Sequence, residues 1–446
     1  MFNKYISIFV HQMGDLNFYS MYKRLLKSQW KSYDELKIDQ EKQLRHMVHF
    51  AYENVPYYHN LFKDLNLRAD SIKKVEDLEK LPILNKDIIK QNWEYFKPLN
   101  LGNMKYYIHS TGGSTGTPFQ YRLLKLDRFL SGAMMYRGWG YGGYELGDKM
   151  VFLAGSSLDV GANSFIVKKV HEITRNIRKL SSFDMGYEDM YKYAGTIQTF
   201  NPKSIRGYAS SINLFGSFVK DNAIDLPDIS AIYTTAEKLL PHMRDNIEDA
   251  FDCDVYDTYG LNDGGVGAYE CFEHTGLHID TERSIMEIVD DDGYQMSDGI
   301  GNILATSLYN YAMPFIRYDT GDMGHIIDDQ CGCGRKSKLL KEVIGRSVDI
   351  LITPEGKKVH GYFLLYIFWE YGAGIENYQV IQNKINNILI KIVPTDHFDV
   401  NNLSLIRNSI KAKSASWNVD FEFVDSIEKT KAGKYKFILN QLEPLL

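Results

Sequence analysis

Cysteine is scarce, with 4 in 446 residues, which excludes a disulfide-built fold and points to a reducing compartment. Long apolar runs are missing as well. No segment approaches the roughly 18 residues of a membrane span. The apolar opening from Tyr5 to Val10 falls short of a secretory leader, whose core runs to about 7–15 residues and ends in small ones, so a cytoplasmic chain without a transmembrane segment is expected. Nor is there a basic excess: 51 Lys+Arg against 57 Asp+Glu gives 51 − 57 = −6, the wrong sign for a general nucleic-acid or anionic-membrane binder. What is present, 44% hydrophobic and 24% charged residues, is the composition of an ordinary globular chain, and the length suggests about two or three domains.

Apolar spacing divides the chain. Leu25, Leu26 and Trp30, then Leu44, Met47, Val48 and Ala51, recur at helical intervals and predict a helical start over 1–100, interrupted at Pro56. From about 105 to 275, short apolar runs such as 150–154 and 229–234 alternate with helix-like stretches such as 186–200 and 237–251. That alternation is the mark of βαβ units in a mainly parallel sheet, an α/β class. Residues 277–345 read as an antiparallel or barrel-like β region. Beyond 345, strands at 378–382, 388–393 and 419–424 around a helix at 401–413 predict a small α+β domain over 346–446, set apart from the large N-terminal domain of 1–345.

The sharpest local feature is Ser110-Thr111-Gly112-Gly113-Ser114-Thr115-Gly116-Thr117-Pro118. Three glycines let backbone N–H groups converge on an anion, and the hydroxyls add donors without bulk, so a phosphate-binding loop is expected. It is not a Walker A loop, because Thr117 stands where that motif needs lysine. Gly138-Trp139-Gly140-Tyr141-Gly142-Gly143 has dinucleotide-fingerprint spacing but follows a helix-like stretch, whereas the fingerprint needs strand, turn, helix. It reads as a structural turn. So does Asp290-Asp291-Asp292-Gly293, which lacks the remaining ligands of a calcium loop.

Cys331 and Cys333 flank one glycine, and Cys271 precedes His278 by 278 − 271 = 7 residues. Three thiolates and one imidazole would make a closed tetrahedral structural Zn²⁺ site; the alternative is a set of reduced thiols in turns. His274 is a competing ligand, and Cys253 reads as a small core residue.

The 110–118 loop resembles the phosphate-binding signature of the adenylate-forming (AMP-binding) enzymes, the superfamily of acyl- and aryl-CoA synthetases, and further matches follow in order. Thr235-Ala236-Glu237 resembles the adenine-contacting turn. Tyr256-Asp257-Thr258-Tyr259-Gly260-Leu261-Asn262-Asp263 resembles the aromatic-Gly segment, whose last acid helps hold Mg²⁺. Arg317-Tyr318-Asp319-Thr320-Gly321-Asp322 is similar to the ribose-binding block, Gly345-Arg346-Ser347-Val348-Asp349 to the hinge, and Lys429-Thr430-Lys431-Ala432-Gly433-Lys434 to the terminal lysine motif. Within the superfamily the resemblance is to phenylacetate-CoA ligases and related capsular-polysaccharide-cluster proteins, carried by Val55-Pro56-Tyr57-Tyr58, Leu81-Pro82-Ile83-Leu84-Asn85-Lys86 and Cys331-Gly332-Cys333-Gly334-Arg335.

The resemblance implies an acyl-CoA synthetase-like fold with a mobile C-terminal lid. It implies an ATP-dependent, AMP-forming ligase that joins a small carboxylic acid, through its acyl-AMP, to coenzyme A or to an amine of a sugar. Residues 112–117 would hold phosphates, Asp322 the ribose, Arg346 the ribose and phosphate, and Lys434 the reacting carboxylate and α-phosphate. For the acid, residues 204–215, with Arg206, Tyr208 and Asn213, and Met134, Tyr136 and Trp139 are candidate lining. Asp263 stands where the superfamily usually has glutamate, one methylene longer. That departure motivates a second reading, a non-catalytic nucleotide-binding partner protein.

Overall fold

The computed structural model describes residues 2–110, 119–154, 165–182, 185–346, 350–360, 362–428 and 436–442. The chain divides into two compact units, one of Met1–Leu239 and Met243–Val343, the other of Leu240–His242 and Ile344–Leu446.

The first unit opens with helices Phe2–Gly14, Phe18–Ser28, Tyr33–Asn54 and Pro56–Asp64. Their boundaries follow from local chemistry. Ser32 accepts from the Glu35 N–H while Glu35 accepts from the Ser32 N–H, a reciprocal cap at the start of the third helix. Pro56 occupies the first turn of the fourth, where its missing N–H costs nothing. Asp70 and Ser71 lie within a 3₁₀ turn, Ala69–Ser71.

One eleven-stranded sheet follows. From one edge its strands are Ser284–Val289, Gly299–Ser307, Tyr318–Ile327, Leu339–Arg346, Leu277–Ile279, Gly267–Glu270, Val255–Gly260, Ala231–Thr235, Ser204–Tyr208, Met150–Ala154 and Ile177–Ser181. The last five pair in parallel. Strand Ser204–Tyr208 is buried at every residue, as expected of a central strand covered on both faces. The β region after 277 is no separate barrel among the described residues. Its strands pair antiparallel and extend the same sheet, because Val255–Gly260 turns back into Gly267–Glu270 and reverses the strand direction.

The Gly138–Gly143 segment is a structural turn. A Cβ on Gly138 would lie 2.2 Å from the Tyr269 ring, and one on Gly142 2.7 Å from the Tyr256 ring. The glycines admit aromatic rings, not a phosphate.

The second unit holds a four-stranded sheet ordered Asn418–Phe423, Asn387–Pro394, Ile375–Lys384, Ile438–Asn440, with helices Tyr362–Tyr371 and Asn402–Lys411. A hairpin of Ile350–Ile352 and Lys358–His360 is tied to it by Gln382, whose amide bonds the N–H and C=O of Ile352 at 2.8 and 2.7 Å. Trp417 is fully buried and donates to the Ile352 and Ile385 carbonyls.

Candidate functional site

In open α/β sheets ligands bind outside the carboxyl ends of parallel strands. Here three such ends are in register, with Tyr208 opposite Thr235 and Thr235 opposite Thr258. The chain leaves the second of them at Ala236, whose φ of +66° is left-handed backbone without a glycine, a strain that an ordinary turn avoids. Glu237 is then held by the Ser210 N–H and Oγ, which donate to its Oε2 at 3.1 and 2.6 Å. Tyr259 and Gly260 end the third strand.

Two reciprocal bonds lace the segments together. The Tyr259 hydroxyl donates to Asp322 Oδ2 at 2.9 Å, and the Tyr318 hydroxyl donates to Asp263 Oδ2 at 2.9 Å. Each motif thus supplies one tyrosine and one aspartate to the other. Burial and the adjoining carboxylates push both phenols well above their ordinary range, so both remain donors at any physiological pH. Asp263 is buried and has no ion-pair partner among the described residues. Such an oxygen donor suits Mg²⁺ chemically.

Ser110 closes a hairpin with Gln120. The Phe119 ring stacks on Tyr318 with centroids 6.3 Å apart, so one foot of the glycine-rich loop stands beside the Asp263 pair. The loop residues Thr111, Gly112, Gly113, Ser114, Thr115, Gly116 and Thr117 lie outside the described residues, as do Lys434 and the Arg346 side chain. The part played by Tyr318 as the lock on Asp263 was not legible in the sequence, since nothing in its local pattern marks a contact 55 residues away.

Behind this edge lies a buried polar relay. Arg244 grips Glu270 through two bonds of 3.0 and 2.8 Å, Glu270 accepts from the Asp257 N–H at 2.7 Å, and the Thr234 hydroxyl donates to Asp257 Oδ1 at 2.7 Å. Burial first, then the Glu270 charge, raises the Asp257 carboxyl to about 6. A carboxyl raised in the folded state binds its proton more tightly there than in the unfolded chain, so its ionisation destabilises the fold as pH rises from about 4 to about 6. Two units correspond to about 3 kcal/mol. Asp257→Asn, which keeps the acceptor but cannot ionise, should remove that loss. Denaturant unfolding of both proteins at pH 4, 5 and 6 should show their stability difference growing with pH, and a constant difference would refute the assignment.

The four candidate zinc-binding side chains converge. The donor atoms of Cys271, His278, Cys331 and Cys333 all lie within 4.8 Å of one another, with Cys271 Sγ 3.5 Å from Cys331 Sγ and Cys333 Sγ 3.3 Å from His278 Nε2. Around one Zn²⁺, sulfurs at about 2.3 Å would be spaced roughly 3.8 Å apart, close to what the cluster offers. Burial pushes His278 down to about 4, which keeps the imidazole neutral and able to ligate. Its Nδ1 faces Ser337 Oγ at 3.2 Å, fixing the ring. His274 is turned away into an ion pair with Glu270. Cys253 is half-buried and apart from the cluster.

Of the candidate acid-pocket residues, Met134, Tyr136 and Trp139 are packed in the core beneath the sheet, with the Arg206 guanidinium over the Trp139 ring. Asn213 is instead bonded to Asn246.

Residues 351–441 match the family described as the CapK C-terminal domain. Protein CapK of Staphylococcus aureus is 26% identical over 447 residues, covering 98% of this chain and 95% of that one. A phenylacetate-coenzyme A ligase of Thermus thermophilus is 24% identical over 341 residues, 72% of each chain. The chain is a homologue of CapK and of the phenylacetate-coenzyme A ligases. Its fold is that of the adenylate-forming ligases with a small C-terminal domain: a 2-hydroxyisobutyryl-CoA ligase in complex with 2-HIB-AMP superposes with a TM-score of 0.73 at 15% identity, over 93% of this chain and 91% of that one. No described helix is long and apolar enough to cross a membrane.

Proposed function

We propose that the chain is an ATP-dependent, AMP-forming ligase that activates a carboxylic acid and passes the acyl group to the thiol of coenzyme A. The observation that carries this reading is the lacing of the Tyr259 and Tyr318 segments at the carboxyl edge of the sheet, in a chain homologous to phenylacetate-coenzyme A ligases.

A carboxylate is a poor acyl donor because oxide would have to leave. In the first step a carboxylate oxygen attacks the α-phosphorus of ATP, the bond to the β-phosphate oxygen breaks, and pyrophosphate leaves with the electron pair. In the second the thiolate attacks the acyl carbon and AMP departs. Positioning and electrostatics carry such a transfer. The 112–117 loop and Ser110 hold the β- and γ-phosphates, Ala236 and Glu237 frame the adenine, and Asp322, oriented by Tyr259, accepts from the ribose hydroxyls. By the motif resemblance, Arg346 is assigned to the ribose and phosphate, and Lys434 to the reacting oxygens. Asp263 is the carboxylate that would hold Mg²⁺, which neutralises phosphate charge when bound. Cys271, His278, Cys331 and Cys333 hold a structural Zn²⁺, whose four ligands leave no open position for catalysis.

ATP–pyrophosphate exchange over a panel of aryl, short-chain, hydroxy and amino acids tests the first step. Thioester formation with coenzyme A, run beside amide formation with an amino sugar, tests the second. Exchange with one acid class followed by thioester is the expected result. Nucleotide binding without exchange for any acid would favour a non-catalytic partner protein, and amide formation would replace the thiol by an amine.

Asp322→Asn keeps an acceptor for Tyr259 but loses the charge that receives the ribose. A hydrogen bond to a charged group contributes about 1.5–3 kcal/mol, so the KM for ATP in the exchange assay should rise roughly ten- to hundredfold. An unchanged KM would remove Asp322 from the nucleotide site.

A further inference from the structure

Most buried guanidinium groups among the described residues face a carboxylate. Arg137 pairs with Asp280 and Glu282, Arg283 with Asp127, Arg317 with Glu287, and Arg122 with Glu94. Arg335 donates to Gln29 and stacks on Tyr141. Arg206 is 8% exposed, yet among the described residues it has neither a carboxylate nor a hydrogen-bond acceptor, and its Nε is buried without a partner. It lies over the faces of Trp139 and Phe152, at 5.1 and 5.5 Å.

The same place holds other orphaned groups. The Trp139 indole N–H is buried without an acceptor, although the Trp139 carbonyl is satisfied by the Tyr233 hydroxyl. Ser204 Oγ, two residues from Arg206 and therefore on the same face of strand Ser204–Tyr208, is also buried and unpartnered. Arg206 and Arg175 both act on the Tyr136 hydroxyl, so positive charge reaches it from two directions. Burial lowers Arg206 only to about 10, so the site is cationic at neutral pH. Buried polar groups are as a rule satisfied, and unpaired buried charge is the least tolerated case. A buried cation and an indole donor without an acid define a place for an anion.

Its position relates it to the proposed reaction. Arg206 is in register with Tyr233, three residues before Ala236, which at strand rise is about 10 Å along the sheet from the adenine turn. That is the reach of a short or aryl acyl chain whose near end is at the α-phosphate. Resting on the ligase reading above, we propose that the acid substrate carries a second anionic group, remote from the carboxylate that is activated, and that Arg206, with the Trp139 N–H beside it, is the receptor for that group and determines specificity for it.

The test compares matched acids, glutarate with valerate and 4-carboxyphenylacetate with 4-methylphenylacetate, in ATP–pyrophosphate exchange and in thermal unfolding without nucleotide. The wild-type chain should prefer the diacid of each pair at least tenfold in kcat/KM. Arg206→Met should lower that ratio about a hundredfold, and Arg206→Lys should retain part of it. Because the unliganded cation is itself unfavourable, Arg206→Met should raise the ligand-free Tm, while a diacid should raise the Tm of the wild type and not of that variant. Exchange that favours the monoacids, with a ratio unchanged by Arg206→Met, overturns the proposal and leaves the ligase reading standing. If no acid supports exchange, a diacid-dependent Tm shift lost in Arg206→Met upholds the anion receptor while the ligase reading fails. Equal shifts with mono- and diacids, or none with either, overturn it and leave Arg206 solvated by water alone.

Discussion

Replacing Lys434 with alanine is expected to slow acyl-AMP formation by two to three orders of magnitude while ATP remains bound. The two reacting groups, a carboxylate and an α-phosphate, are both anions, and bringing them into contact requires a positive charge placed between them. A lysine ammonium supplies a compact point charge on a flexible stem. Losing one preorganised donor to developing charge costs about 3–4 kcal/mol, which is the stated rate loss. The backbone just beyond this lysine is anchored: Gln379 donates to the Lys436 carbonyl at 2.9 Å, the Val380 N–H donates to the Phe437 carbonyl at 2.8 Å, and Ile438 pairs in parallel with Val380. ATP affinity should persist, because on the proposed reading the 112–117 loop and Asp322, not Lys434, would hold the phosphates and ribose. Single-turnover adenylation with labelled ATP, beside equilibrium ATP binding, separates the two effects. Undiminished single-turnover adenylation in Lys434→Ala would refute the assignment.

How much of this was legible in sequence depends on the range of the interaction concerned. Local signals read well: Pro56 marks a helix boundary, and the strand–helix alternation after residue 105 becomes the parallel half of the sheet. Helix Phe2–Gly14 buries Ser7, Ile8 and His11 while Tyr5, Phe9 and Met13 stay exposed, so its apolar residues alone do not mark its buried face. The antiparallel half was read as a separate β region, since a strand pattern states which residues alternate but not which neighbour they pair with. The cysteines and His278 were legible as a set because zinc chemistry names its ligands. Arg206 was visible only as a candidate lining residue. Its lack of a partner depends on Trp139, Phe152 and Tyr136 arriving from other elements without a carboxylate among them, which no local pattern encodes.

Removal of the sulfur ligands should have the largest effect on stability. Purified protein is expected to carry about one zinc per chain, with Cys271→Ser and Cys331→Ser each losing it. Both thiols are buried, at 0% and 5% exposure, and the segments they join lie 60 residues apart in sequence, so the metal would clamp Leu277–Ile279 and its partner Leu339–Arg346 at one end. A ligand that binds only the folded state at a thousandfold above its Kd contributes about 4 kcal/mol, roughly a 10 °C change in Tm for a unit of this kind. Chelation of the wild-type protein should reproduce that shift, and zinc, but not magnesium, should reverse it. Two controls separate a metal effect from general thiol chemistry. Cys253→Ser should keep the metal, because burial and the adjoining Asp254 push that thiol up to about 12 and hold it protonated. His274→Ala should keep it too, since His274 is committed to Glu270. Freshly purified protein that contains no zinc yet unfolds at the same temperature with and without chelator would reduce the cluster to three buried thiols and a histidine, held together by packing around Tyr141 and Leu339 rather than by a metal.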